Sequence, residues 1–334
     1  MSRAAAFTLG LAALANPAFA DEVNVYSHRQ PELVQPLFDA FTAETGIDVN
    51  VAYVDKGMVE RLVAEGDRSP ADLVMTVDIA RLEQIVEAGV TQPVTSDVLK
   101  ANIPAAYRDP ANQWFGLTSR ARVIYASKDR VKDGEVTTYE DLADPKWQGR
   151  ICTRPGTHDY NLGLMAAMIA HHDEDFARTW AAGVKANLAH KPEGNDRSQV
   201  KSIWAEECDI SLGNTYYMGE MLADAEQKDW ANSVRIVYPA FEDGGTHVNI
   251  SGMAMTKAAP NKDAALKLME FLAADEAQKI YADTNHEFPV KPGVARSALV
   301  KSWGEFSGDG LNLDDLARLR PEALRLMEAV NFDG

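Results

Sequence analysis

Tyr216 and Tyr217 stand side by side just beyond the short apolar run 210–212, on the turn Gly213-Asn214-Thr215 that leads into a helical stretch. Tyr160 occupies the same kind of place. The strand-like Arg150-Ile151-Cys152-Thr153 gives way to Pro155-Gly156-Thr157-His158-Asp159, and an apolar helix follows over 162–170. Ligands of α/β sheets bind at such turns, beyond the carboxyl ends of the strands. Three phenol oxygens on two turns of one lobe therefore read as a site. A phenol ordinarily loses its proton near pH 10 (about 10), and a small trivalent cation such as Fe³⁺ is the hard acid that can hold the phenolate at neutral pH. A lone tyrosine is more often a packing residue with its hydroxyl in water; the doubled pair with a third nearby argues against that here.

The elements needed to position these turns are legible in the apolar spacing. Val23-Asn24-Val25-Tyr26-Ser27 has the period of two expected of a strand, and Leu33, Val34, Leu37, Phe38 and Phe41 share one helical face that stops at Gly46. A strand over 47–54, a helix carrying Met58, Val59, Leu62 and Val63, the strand Asp72-Leu73-Val74-Met75 and a helix ending at Gly89 continue the alternation. Such a β-α-β order implies right-handed crossovers and a parallel sheet covered on both faces. A long extended run over 117–127, with Arg120 and Arg122 on one face, is the expected crossover into a second βα series, and 246–255 the expected return. The chain exceeds the usual size of one core. The expected division is therefore an N-terminal lobe of 21–118 with 246–290, and a C-terminal lobe of 119–245 with 291–334, hinged around a cleft.

Residues 1–20, MSRAAAFTLGLAALANPAFA, read as a secretory leader: Arg3, an apolar core, and Ala18-Phe19-Ala20 as the cleavage site. The formal net charge of −17 becomes −18 when Arg3 is removed with it, too acidic for nucleic acid or an anionic membrane surface. Cys152 and Cys208, the two cysteines of the chain, each sit at the start of a strand that bears a tyrosine turn. Both a disulfide in an oxidising compartment and two buried thiols fit that placement. No Gly-x-Ser-x-Gly elbow, GxxxxGK phosphate loop, His-Glu-x-x-His or Cys-x-x-Cys occurs, so the usual catalytic signatures are missing.

An ordered set of motifs carries a family resemblance. Val25-Tyr26-Ser27-His28-Arg29-Gln30, Ser69-Pro70-Ala71-Asp72-Leu73, Ser119-Arg120-Ala121-Arg122-Val123, Tyr139-Glu140-Asp141-Leu142, Trp147-Gln148-Gly149, Asp159-Tyr160-Asn161, Pro192-Glu193-Gly194-Asn195-Asp196, Gly213-Asn214-Thr215-Tyr216-Tyr217, Gly245-Thr246-His247-Val248-Asn249-Ile250-Ser251-Gly252 and Ala259-Pro260-Asn261-Lys262 together resemble the ferric-iron-binding periplasmic proteins of ABC importers. The resemblance covers essentially the whole chain after residue 20. It implies an α/β, two-lobed type II periplasmic binding protein fold, each lobe a parallel-rich sheet with helices on both faces. It implies too a periplasmic, non-enzymatic carrier, read as a monomer, that hands Fe³⁺ to an inner-membrane ABC permease and its ATPase.

The resemblance assigns Tyr160, Tyr216 and Tyr217 as phenolate ligands. Many members have a His-Tyr pair where this chain has Gln30-Pro31, which removes those two ligands; members similar to this chain in reading Tyr-Ser-x-Arg-Gln-Pro use an exogenous anion, typically carbonate or bicarbonate, gripped by arginines. Arg29 and Arg120 are the expected grip, with Gln30 and Arg122 as further candidates. Chemistry points the same way, because three phenolates neutralise Fe³⁺ but leave octahedral positions that a bidentate anion on guanidinium forks would fill. His28, one step from Arg29 on an extended chain, is expected to face away from the cleft on its rim. His158 and His247 are expected to make supporting hydrogen bonds, and Tyr26 is left between core and cleft wall. The same fold could instead hold an organic solute such as a polyamine or a carboxylate, or carry an exported enzyme.

Overall fold

The computed structural model describes residues 22–29, 31–54 and 56–334, so the expected leader at 1–20 and the anion candidate Gln30 lie outside the described residues. β1 (Glu22–Ser27) is followed by α1 (Pro31–Thr45), β2 (Asp48–Tyr53), α2 (Met58–Glu65), β3 (Leu73–Thr76) and α3 (Ile79–Glu87). β1 runs parallel to both β2 and β3, the arrangement that helical crossovers produce. α1 buries Val34, Leu37, Phe38 and Phe41, each worth about 1.5–3 kcal/mol relative to exposure. Asp78 caps α3 by accepting from the Ala80 N–H at 2.8 Å.

After α4 (Asp97–Asn102) comes β4 (Phe115–Ser127), buried along its whole length. The second βα series follows: β5 (Ile151–Cys152), α5 (Asp159–His171), α6 (Glu174–Ala186), α7 (Asp196–Trp204), β6 (Ile210–Asn214), α8 (Tyr216–Ala223), α9 (Lys228–Ser233) and β7 (Val234–Val237). β8 (Val248–Met255) returns, and α10 (Lys262–Leu272), α11 (Asp275–Thr284), β9 (Phe288–Pro289) and α12 (Ala298–Ser302) succeed it. The chain closes with two consecutive helices, α13 (Leu313–Arg318) and α14 (Arg320–Ala329), the second with a proline in its first turn.

The strands make one sheet in the order β2-β1-β3-β8-β4-β6-β5, with β7 and β9 also paired to β4. It is mixed rather than parallel-rich. β4 pairs antiparallel with β6, β7, β8 and β9, and β3 pairs antiparallel with β8, because the chain passes from one half to the other along β4 and comes back along β8. All of β4's neighbours change at one place: β8 and β9 flank it up to Ala121, and β6 and β7 flank it from Arg122 and Ile124 on. Arg120 lies opposite Asn249 of β8, and Arg122 opposite Asn214 of β6. Ligands of open α/β sheets bind where neighbouring strands diverge in this way.

Cys152 and Cys208 form a disulfide with a Cα–Cα separation of 5.9 Å, which resolves the two readings of that pair. It staples β5 to the residues entering β6, and those two strands run parallel. The tyrosine turns follow the carboxyl ends of both strands, Cys152 itself being the last residue of β5. Among the described residues, no helix is long and apolar enough to cross a membrane.

Candidate metal centre

The β6–α8 turn is tight because its backbone meets an aromatic ring. A Cβ on Gly213 would lie 2.2 Å from the Tyr125 ring, and the Tyr125 hydroxyl donates to the Asn214 carbonyl at 2.7 Å. The strand therefore ends one residue before Thr215, and Tyr216 and Tyr217 become the first two residues of α8. Tyr160 is the second residue of α5, one turn further into the helix than its sequence suggests. His158 caps that helix by accepting the Tyr160 N–H at 3.2 Å and packs edge-on against the Tyr160 ring. All three phenols thus lie at helix N-termini, where the backbone dipoles favour negative charge. Thr215 offers α8 no side-chain cap.

The Tyr160 and Tyr216 hydroxyl oxygens are 3.1 Å apart. The Tyr216 and Tyr217 rings lie 4.4 Å centre to centre, and the Asn214 amide donates to the Tyr216 hydroxyl at 3.4 Å. All three tyrosines line a single cleft of about 780 Å³. Burial pushes Tyr216 well above the ordinary phenol range, with the neighbouring Tyr160 and Tyr217 adding to it. Tyr217 is raised likewise, by burial and then by Tyr160. Left to themselves these are neutral phenols, and only a strong local positive charge can ionise them.

The guanidinium groups around them fall into two kinds. Arg122 is committed to protein partners: it donates to Asp196 at 2.7 Å, to Asn161 at 2.7 Å and to Asn214 at 3.2 Å. Arg154, which sequence reasoning passed over, donates to the other Asp196 oxygen at 3.1 Å, and its guanidinium stands 4.9 Å from the Tyr160 ring centre. Asp196 is fully buried; burial would raise its carboxyl, but Arg122 and Arg154 outweigh that and hold it below the usual range. Arg120 is the opposite case. One nitrogen donates to the Val77 carbonyl, while among the described residues its buried Nε and Nη1 meet no hydrogen-bond acceptor. A donor left so is costly unless something accepts from it. Arg29 lines the same cleft and donates to Glu287 at 2.9 Å and to Ser251. Burial works against its charge, and Glu287 more than offsets that.

Several expectations change on this geometry. His28 and Arg29 both line the cleft, contrary to the alternation argument, because β1 ends at Ser27 and strict alternation ends with it. Tyr26 points elsewhere, its hydroxyl donating to Glu65 at 2.9 Å. Buried His247 is pushed down to about 3 by burial and then by Arg122 and Arg120, and His158 to about 4 by burial and then Arg154, so both rings are neutral at pH 7. His158 makes the expected supporting bond, but the His247 Nδ1 meets no partner among the described residues; it is the His247 backbone N–H that is engaged, donating to the Tyr139 hydroxyl at 3.0 Å. The signal that could have found Arg154 is its place, two residues past a strand end on the turn before a candidate ligand. Nothing local in the sequence marks Asp196 or Glu287.

A family model described as bacterial extracellular solute-binding protein matches residues 36–308. The chain belongs to that family. Among curated solute-binding relatives, "Iron uptake protein A1" of Synechocystis is 43% identical over 320 residues, covering 95% of this chain and 89% of that one. Among solved structures, the apo ferric ion-binding protein A of Pasteurella haemolytica is 50% identical, with a TM-score of 0.90 over 94% of this chain and 99% of that one. A Trichodesmium protein in complex with iron and citrate is 42% identical, with a TM-score of 0.89 over 93% and 99% of the two chains. The two-lobed solute-binding fold expected from the motifs is the fold of these structures.

Proposed function

We propose that this solute-binding protein captures Fe³⁺ through the phenolates of Tyr160, Tyr216 and Tyr217, in the periplasm, and delivers it to an ABC permease and its ATPase. The observation that carries the reading is the 3.1 Å approach of two phenol oxygens on helix N-termini beside a third phenol. Relatives whose names concern iron support it. Arg29 and Arg120 hold a synergistic anion, carbonate or bicarbonate, with Gln30 as a further donor. Arg120 is the stronger grip, since its buried nitrogens lack protein acceptors among the described residues. Arg122 acts from behind, with Arg154 and Asp196, to fix the turns. Residues 21–118 with 246–290 form one lobe and 119–245 with 291–334 the other, closing on the cargo as a monomer.

A polyamine is the weaker reading. Five arginines line the cleft (Arg29, Arg81, Arg120, Arg154 and Arg197) against the carboxylates Glu220, Asp224 and Glu287; Fe³⁺ is neutralised by three phenolates and arrives with an anion that arginines can grip, whereas a polyamine needs free carboxylates, and Glu287 is already held by Arg29 at 2.9 Å. The deciding experiment is an iron titration followed by visible absorbance, with and without bicarbonate. A phenolate-to-iron band should appear, strengthen with bicarbonate, and be weakened and shifted in Tyr216→Phe but unchanged in Tyr26→Phe. A colourless protein, or a band untouched by Tyr216→Phe, would reject the assignment.

A further inference from the structure

The turn that carries Tyr160 is held from two sides. On the inner side the Asn161 amide donates to the Thr153 hydroxyl and to the Arg154 and Pro155 carbonyls at 3.0–3.1 Å. The outer side is held by residues far along the chain. After α14 the backbone reverses through Asn331, which adopts φ +50°, and the Phe332 N–H returns to the Met327 carbonyl at 3.0 Å. This hook drives the Phe332 ring, 4% exposed, against the turn: a Cβ on Gly156 would lie 2.5 Å from it. It also presents the Asp333 carboxylate to the turn's unpaired donors. One oxygen accepts the Gly156 N–H at 2.5 Å, and the other accepts the Thr157 hydroxyl at 2.8 Å and the Thr157 N–H at 3.3 Å.

We propose that Phe332 and Asp333 are positioning residues for Tyr160, setting the Pro155–His158 turn so that its phenol meets those of α8 on the metal. The inference rests on the metal-centre reading above. Tyr216 and Tyr217 share one helix and move together. Tyr160 reaches them from another segment, so their common point depends on where that turn is fixed. Residues that orient ligands from behind are commonly worth about 10–100-fold in metal affinity, and charge-assisted bonds from a carboxylate to backbone N–H groups are among the stronger ones.

The test measures iron affinity by chelator competition, and the phenolate-to-iron band, at 25 °C and well below melting. Asp333→Ala should weaken affinity about 10–100-fold and shift the band, and Asp333→Asn, which keeps shape and one accepting oxygen, should lose less. Gly156→Ala, which displaces the Phe332 ring, should reproduce the Asp333→Ala band. Asp209→Asn is the control. Asp209 holds Arg130 at 2.5 Å and Arg150 at 2.6 Å near the starting ends of β5 and β6, away from the cleft, so its loss should lower the melting temperature and leave band and affinity unchanged. Wild-type affinity and band in Asp333→Ala, or in Asp333→Asn should the alanine variant not fold, overturn the inference; so does an equal affinity loss in Asp209→Asn. If the unmodified protein shows no band, the metal-centre reading fails and takes the inference with it.

Discussion

Asp196→Asn is the most demanding test of how the centre is held. The Asp196 carboxylate is fully buried and joins three segments: Arg122 of β4 at 2.7 Å, Arg154 of the turn after β5 at 3.1 Å, and the Asn214 N–H at the end of β6 at 3.0 Å. An amide has nearly the same shape but no charge, and its NH₂ would face a guanidinium. Two buried cations then lack their counter-ion, and breaking a buried pair from one side costs about 3–5 kcal/mol. Unfolding entropy of about 2.1 cal/mol/K per residue gives roughly 0.7 kcal/mol/K for this chain, so the melting temperature should fall by about 4–7 °C. The effect should depend on pH with a definite sign. The folded carboxyl is held below its ordinary range, so its contribution is full above the unfolded value of about 3.9 and fades as pH drops through the lower folded one. The gap between the two proteins should therefore be largest at neutral pH and close in acid. Calorimetry of both proteins between pH 3 and 7 measures it, and iron competition should show a parallel loss of about 10–100-fold in affinity. A melting shift under 1 °C at pH 7, or a gap that widens in acid, would refute the account of Asp196 as counter-ion.

Reducing the Cys152–Cys208 disulfide, which spans a sequence separation of 56, should cost about 4 kcal/mol by loop-closure entropy; a denaturation midpoint unmoved by dithiothreitol under denaturing pre-incubation would contradict this. Burial holds Tyr216 and Tyr217 protonated at neutral pH, so loading expels at least those two protons and affinity should fall by at least about a hundredfold for each pH unit lowered, and a flat chelator-competition profile between pH 6 and 8 would be incompatible. Gly213→Ala should fold poorly or lose the phenolate band, because its Cβ would enter the Tyr125 ring; a soluble variant with wild-type absorbance would show that the turn adapts.

The tyrosines were legible because their signal is local: a strand that runs out, a small polar turn, then a helix. The groups around them were not, since their roles are set by contacts between remote segments. Arg29 finds Glu287 across 258 residues, and Arg122 finds Asp196 across 74. Some motif residues proved to hold the fold. Asp72, quoted for the resemblance, accepts from Asn24 and Asn261 backbone N–H groups at 2.8 and 2.6 Å and so ties β1 to the start of α10. Sheet direction was misjudged where one long strand serves both halves, because apolar runs give burial and length but not the direction of a partner.

One stapled strand pair carries all three candidate ligand phenols. Tyr160 follows β5, Tyr216 and Tyr217 follow β6, and the two strands are neighbours joined by a covalent bond. On the proposed metal-centre reading, landing and locking are therefore separate events. The ion would settle on this shelf before the lobes close, so its arrival rate would answer to how open the entrance is. Its residence time answers instead to the facing wall, where Arg29 stands braced by Glu287 and Ser251, and mutations there should change how long the cargo stays more than how fast it comes.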